Sequence, residues 1–414
     1  MSLELLYIIG DTHIGRQKIS NNIRINENYT LFKNKRYSHN FGVFHIQKTI
    51  ERFKEHILRD ILNLYSNIRH NEKIKIKIIF LGDFFDNPIK DYEFLNRNPK
   101  LKKSLIDNLF GKFKKIRELL DNIEIKFYFL FGNHETLYTN RDKNIKTSMY
   151  FLTNDIIKKY NFKPDEFEII SEKKTIFFDY SSSSNSLFIF IPFISNNLNE
   201  VRKVFYVELK RRIQNLENSF KQNVKNVFIF THNNIFVNEK WFNRYMISFS
   251  EFEKNLISDE FFKSEFPNLK EIKFFNGHIH KYWIEDKLNI VGSFFPLYYK
   301  ETLKTIGLYK IVLENDLIIE DNGIYNDFTI FVKHLLNEKQ DIETFLKYMF
   351  KYEFINRERL EKNLYPLSVI SYTSFDIENI KIGKIEKYNL LKECSNTIAY
   401  YEKENLISNL DTLF

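Results

Sequence analysis

Aspartate, histidine and asparagine recur in this sequence just beyond short apolar runs. Leu5–Ile9 ends in Gly10-Asp11-Thr12-His13, and Ile76–Leu81 ends in Gly82-Asp83-Phe84-Phe85-Asp86. Phe127–Phe131 ends in Gly132-Asn133-His134-Glu135, and Val227–Phe230 ends in Thr231-His232. Ile272–Phe275 ends in Asn276-Gly277-His278-Ile279-His280. Carboxylate, imidazole and amide oxygen are all competent metal donors. Continuous apolar runs of this length read as buried strands. In open α/β sheets, ligands bind beyond the carboxyl ends of the strands. These strand ends, each carrying ligand-type side chains, therefore point to one converged site. Of the ten histidines, His39, His45, His56, His70 and His334 stand outside the motifs and read as surface or capping residues. The chain has only eleven glycines, yet Gly10, Gly15, Gly82, Gly132 and Gly277 fall in or beside the motifs, where tight turns or close backbone approach are needed.

The elements between the runs read as helices. Ile46, Ile50, Phe53, Ile57, Ile61 and Leu64 follow three- and four-residue spacing, which makes one apolar face. Val201, Phe205, Leu209, Ile213, Leu216 and Phe220 repeat the pattern, with Arg202, Lys203, Lys210, Arg211 and Arg212 on a solvated face. Ser181–Ser186 breaks two strand-like runs and predicts a hairpin loop. Gln17–Asn40 is polar and reads as a long loop beside the first motif. After about residue 300 the pattern changes to short strand-like runs at Thr305–Leu313, Leu317–Ile319 and Phe328–Val332, then helical stretches at 339–351 and 386–402. The expected division is a large α/β domain over 1–300, a small α+β capping domain over 301–375, and a helical tail over 376–414.

The 414 residues give ample length to bury a core, and 28% charged residues is ordinary for a soluble protein. No run of about 18 apolar residues predicts a membrane span, and the N-terminus shows no signal-peptide pattern. Cys394, the single cysteine, excludes an internal disulfide and suits a reducing, cytoplasmic setting. A net charge of +8 suits a nucleic-acid partner, although lysine enrichment alone gives the same sign.

Taken in order, the motifs resemble those of the calcineurin-like metallophosphoesterases over roughly residues 1–295. The resemblance implies a four-layer α/β/β/α sandwich and two divalent ions, most suitably manganese. Asp11, His13, Asp83 and His280 would hold the first ion, and Asp83, Asn133, His232 and His278 the second, with Asp83 bridging. His134 would be the general acid, oriented by Asp86 or Glu135. Two divalent cations exceed the charge of Asp11, Asp83 and a bridging hydroxide, so such a site stays positive and attracts phosphate.

Within this superfamily, Asp86-Asn87-Pro88 departs from the Asp-Arg-Gly continuation of the protein phosphatases. Gly82-Asp83-Phe84-Phe85-Asp86 resembles instead the SbcD-type recombination nucleases, which include nuclease subunits of T-even-like phages. Phe188–Phe193, ending in Ile-Pro-Phe, and Val291-Gly292-Ser293 add local similarity, while Glu135 stands where these nucleases usually carry Asp. This resemblance implies a DNA endo/exonuclease that works as a homodimer with an SbcC-type coiled-coil ATPase in recombination and double-strand-break repair. The stretches 339–351 and 386–414 are the candidates for ATPase binding. Two other readings stay open at this stage: a phosphatase or phosphodiesterase acting on small molecules or RNA, and a scaffolding subunit for the ATPase.

Overall fold

The computed structural model describes residues 2–14, 39–67, 73–120, 122–136, 148–163, 166–171, 175–236, 247–248, 259–280, 282–285, 287–294, 307–314, 317–321, 331–336, 354–355, 358–359, 362, 368–373 and 398–403. The chain divides into two compact units, one of residues 1–14 and 49–326, the other of 15–48 and 327–414. In chain order the strands of the first unit are β1 (Ser2–Ile9), β2 (Lys73–Phe80), β3 (Ile123–Leu130), β4 (Phe167–Ile170), β5 (Phe177–Ser181), β6 (Ser186–Ile191) and β7 (Asn226–Thr231). They continue with a small pair, β8 (Ile235–Phe236) and β9 (Ile247–Ser248), then β10 (Glu271–Asn276), β11 (Trp283–Glu285), β12 (Leu288–Ile290), β13 (Leu308–Glu314) and β14 (Leu317–Asp321).

Two six-stranded sheets result, in the orders β14-β13-β1-β2-β3-β4 and β11-β12-β10-β7-β6-β5. The central strands β1 to β4 run parallel, as do β12, β10, β7 and β6, so their carboxyl ends gather at one edge of each sheet. All five apolar runs picked out from the sequence are strands, and the residues after Ser181 form the turn between antiparallel β5 and β6.

Strand alternation makes the layers. Leu6 and Ile8, Ile79, and Tyr128 and Leu130 face Phe188, Phe190, Phe228, Phe230 and Phe275 in one buried cluster between the sheets. The intervening residues Leu187, Ile189, Val227, Ile229 and Phe274 face the other way. There they meet Val201, Val204, Phe205, Leu209 and Ile213. Those residues come from a helical stretch comprising Leu198–Lys203, a wider turn at Val204–Leu209, and Lys210–Gln214. The single helix expected over 201–220 breaks after Gln214 and resumes at Asn218–Asn223. On the far face of the first sheet, Phe80, Phe127 and Phe129 pack with Phe53, Phe110, Phe113, Phe162 and Phe167. Phe113 lies on the helix Lys112–Leu119. Helices thus cover both outer faces, which makes the expected α/β/β/α sandwich.

The region after residue 300 departs from expectation. β13 is antiparallel to β1 over Leu3↔Glu314 to Ile9↔Leu308, and β14 pairs with β13, so both complete the first sheet instead of opening a capping domain. The second unit contains β15 (Phe331–Leu336), β16 (Ser368–Thr373) and β17 (Ile398–Lys403), which form a parallel sheet in that order. Residues 398–402, read as helix from the sequence, are therefore strand; the run Ile398-Ala399-Tyr400-Tyr401 suits a pleated surface. The 339–351 stretch and residues 17–38 lie outside the described residues. His45 is fully buried rather than on the surface, as are Thr49 and Arg52 on the same helix, His39–Phe53; His56 is half-buried. The burial of His39, His70 and His334 lies outside the described set.

Phe127 is fully buried and touches five other phenylalanine rings. Truncation of Phe127 to Ala leaves a cavity that the surrounding strands and helices close only in part. It is expected to cost about 3–5 kcal/mol in denaturant unfolding.

Candidate metal centre

The loops leaving β1, β2, β3, β7 and β10 are tied to one another before any side chain is considered. His13 and Ile14 donate their backbone N–H groups to the carbonyls of Asp83 and Phe84 at 2.9 and 2.7 Å, and Thr12 Oγ1 reaches Phe84 O at 2.9 Å. Phe294 N donates to Asp11 O at 2.8 Å, Ser293 N to His280 O at 3.1 Å, and Gly277 N to Thr231 O at 3.0 Å. The backbone takes up unusual conformations here. His13, Asp83 and His278 lie in the left-handed region, with φ of 44°, 42° and 67°. Such angles are costly for residues with a Cβ and persist only where the surroundings enforce them. Two glycines are forced by close approach: a Cβ on Gly132 would lie 2.1 Å from Asp83 Oδ1, and one on Gly82, at φ 122°, 2.3 Å from His232 Nδ1.

The side chains expected to act together do meet. Asp11, His13 and His280 form one group able to hold a cation, His13, Asp83 and His134 a second, and Asp83, His232 and His278 a third. His13 Nε2 lies 3.0 Å from His280 Nε2, which is 3.3 Å from Asp11 Oδ2. His232 Nε2 lies 3.3 Å from Asp83 Oδ2 and 3.0 Å from Asn133 Oδ1, which is 2.8 Å from His278 Nδ1. Asp83 belongs to two of the three groups. His134 N donates to Asp83 Oδ1 at 2.9 Å from the helical turn at 133–136, and its Nε2 stands 3.8 Å from Asp83 Oδ2.

The neighbours of Asp86 and Glu135 differ from a simple pairing with the His134 ring. Asp86 presents its main-chain carbonyl to His134 Nδ1, while its carboxylate lies 3.4 Å from His13 Nδ1. Glu135, fully buried, accepts the backbone N–H groups of Asp83 at 3.0 Å, Phe85 at 3.2 Å and Gly132 at 3.0 Å, fastening the second and third motif loops together. Burial and the nearby Asp83 charge push the Glu135 carboxyl up to about 7, against the pull of those N–H donors.

The charges explain what the pocket needs. Burial penalises both Asp83 and Asp11, yet surrounding histidines outweigh it and hold both carboxyls below their usual range, Asp83 far below. Two carboxylates therefore stay ionised away from water and demand positive charge. Burial opposes a charged His232, but Asp83 and Asp11 overcome it and lift this ring to about 9. Burial and the charge on His232 drive His278 down to about 3, and burial lowers His13. At His134 burial is again outweighed, by Asp83 and Asp86, and the ring is raised.

Tautomers fit a metal as well. His232 Nδ1 lies 2.8 Å from Leu81 O, so it keeps its proton there, and loss of the second proton bares the Nε2 lone pair towards Asp83 and Asn133. His232 Nε2 and His278 Nδ1 lie 3.0 and 2.8 Å from Asn133 Oδ1, ligand-type atoms close enough to share a divalent cation. Asp11 Oδ2 is buried without a hydrogen bond, which suits the same role.

Several residues that shape the site were not among the sequence candidates. Arg52, 2% exposed, donates to Phe294 O at 2.5 Å, behind the loop that bonds Asp11. Gly307 N–H and C=O bond Ser293 O and Gly10 N at 2.8 Å each. Asn233 and Asn276, both fully buried, flank His232 and Gly277. Their sequence signal is slight: Asn276 ends β10, and Asn233 lies two residues past the end of β7.

A cation entering beside His232 must displace the proton held there. Metal binding is expected to release protons below about pH 9. Affinity should rise by up to about tenfold per pH unit for each proton released, flattening above that pH. Calorimetric titration with manganese in buffers of different ionisation enthalpy would measure the release.

A search among curated proteins finds no match to the chain. The family model of calcineurin-like phosphoesterases matches residues 5–282, from the first strand to just beyond His280, and thus takes in every residue of the three cation-competent groups. That family consists of hydrolases acting on phosphoesters with divalent metals. By the extent of this match, the chain belongs to the calcineurin-like phosphoesterase family.

Proposed function

We propose that this protein is a metal-dependent DNA endo/exonuclease, a phosphodiesterase that serves as the nuclease subunit of a recombination and double-strand-break repair complex. The observation that carries the reading is Asp83, a buried carboxylate shared between neighbouring donor groups with His134 beside it. In this reading Asp11, His13, Asp83 and His280 hold one divalent ion, and Asp83, Asn133, His232 and His278 hold the other. Mixed imidazole, amide and carboxylate donors suit manganese better than magnesium. Bound there, the ions would supply Lewis-acid stabilisation of phosphoryl oxygens and activation of water.

The chain's own residues supply the remainder. His134 has a side chain 30% exposed, against 2% for Asp83, so it can reach a leaving oxygen. Its raised proton affinity keeps it in the acid form to higher pH than an ordinary histidine, as a general acid needs. Asp86 fixes the ring through its carbonyl, and Glu135 fixes the loop beneath it.

DNA is favoured as substrate by the Gly82-Asp83-Phe84-Phe85-Asp86 motif, by Asn87 where protein phosphatases carry Arg, and by the net charge of +8. A coiled-coil ATPase partner, dimerisation and a cytoplasmic location belong to the same proposal. Among the described residues, no helix is long and apolar enough to cross a membrane.

Manganese-dependent degradation of linear DNA is the expected activity. His134→Ala should lower turnover by about 10²–10⁴-fold while metal content measured by mass spectrometry stays at the wild-type level. Rapid hydrolysis of a nucleotide monoester with no DNA cleavage would overturn the choice of substrate.

A further inference from the structure

Asn233 and Asn276 are fully buried, and every polar atom of their side chains is used. Asn276 Oδ1 accepts Asn233 N at 3.2 Å, and Asn276 Nδ2 donates back to Asn233 O at 3.0 Å and to Ile235 O at 3.4 Å. Asn233 Nδ2 donates to Thr231 Oγ1 at 2.7 Å and Pro192 O at 2.9 Å, while its Oδ1 accepts Ile194 N at 3.1 Å. Between those last two contacts, Phe193 N donates to Phe131 O at 2.8 Å, just before Gly132 and Asn133. One pair of amides therefore links the exits of β6, β7 and β10, and through Phe193 the exit of β3. These are the loops that carry Asn133, His232 and His278.

The Asp11, His13 and His280 side is built differently. Its loops are held by backbone bonds, Phe294 N to Asp11 O and Ser293 N to His280 O, in which neither asparagine takes part. The two asparagines thus bear most directly on the Asn133, His232 and His278 side, although His278 N also donates to Asp11 Oδ1 at 3.1 Å.

We propose that Asn233 and Asn276 are positioning residues for one half of the centre, setting the mutual placement of Asn133, His232 and His278. The inference rests on the metal-binding reading given above. A side-chain amide offers two N–H donors and an acceptor oxygen together, which is what each of these positions uses. Asp in place of Asn276 keeps the acceptor for Asn233 N but sets a carboxylate oxygen against the carbonyls of Asn233 and Ile235. Ligand-orienting contacts of this kind typically govern metal affinity by 10–100-fold.

The test is manganese titration of the full chain by calorimetry and by electron paramagnetic resonance, which separate two binding steps and report spin coupling between paired ions. Wild type is expected to take up two ions. Asn276→Asp and the milder Asn233→Ser should weaken one step by about ten- to a hundredfold and lose the coupling signal. The other step should weaken clearly less, and thermal unfolding should stay cooperative. Equal weakening of both steps, or no change in either, would overturn the positioning role while leaving the metal reading intact. Should Asn276→Asp fail to fold, Asn233→Ser decides by the same criterion. Wild type that binds no manganese would overturn the metal reading and this inference together.

Discussion

A buried carboxylate that must remain charged is the constraint on which the rest of the molecule turns. Asp83 sits at the end of a central strand, in left-handed backbone, 1% exposed. Leaving such a charge uncompensated in the interior is expensive. The fold answers with donors and cations from several directions: the His134 N–H, the rings of His134, His232 and His13, and Gly132 brought too close to tolerate a Cβ. Glu135 then takes the N–H of Asp83 itself, so even the main chain under the carboxylate is held. The two-sheet architecture is what allows this convergence, because it brings strand ends from both sheets to one place.

The same convergence explains which parts could be read from the sequence. β2, Lys73–Phe80, alternates lysine with isoleucine and then turns wholly apolar as it nears the site, so strand and site announce each other. Asp11, His13, Asp83, Asn133, His134, His232, His278 and His280 are conspicuous because each follows an apolar run, and ordered strand ends need no long-range information to be noticed. Asn233 and Asn276 were harder to find. Their role lies in bonds between residues 43 positions apart, and nothing local marks a satisfied buried amide.

The errors have physical causes as well. β13 reads as an isolated short strand, and only its pairing with β1 shows which sheet it completes. Ile398–Lys403 is short and apolar enough to suit either a helix or a strand, and period alone does not arbitrate between them. His45 lies one residue from the Ile46, Ile50, Phe53 stripe, which is wider than drawn: His45, Thr49 and Arg52, at helical spacing, are buried beside it. A polar residue at the margin of an apolar stripe reads as solvated unless something else in the fold covers it. Glu135, one methylene longer than an aspartate, uses its reach to span three backbone donors across two loops.

The pairing of β1 with β13 also sets an order on biosynthesis. Leu3 waits for Glu314 and Ile9 for Leu308, so β1 lacks one of its sheet neighbours until about three hundred further residues have been made. At about 5–20 residues per second that interval is roughly 15–60 s. Throughout it, one side of a largely apolar strand is open to misdirected pairing. That side of the strand is shielded only once β13 has been made and has paired with it.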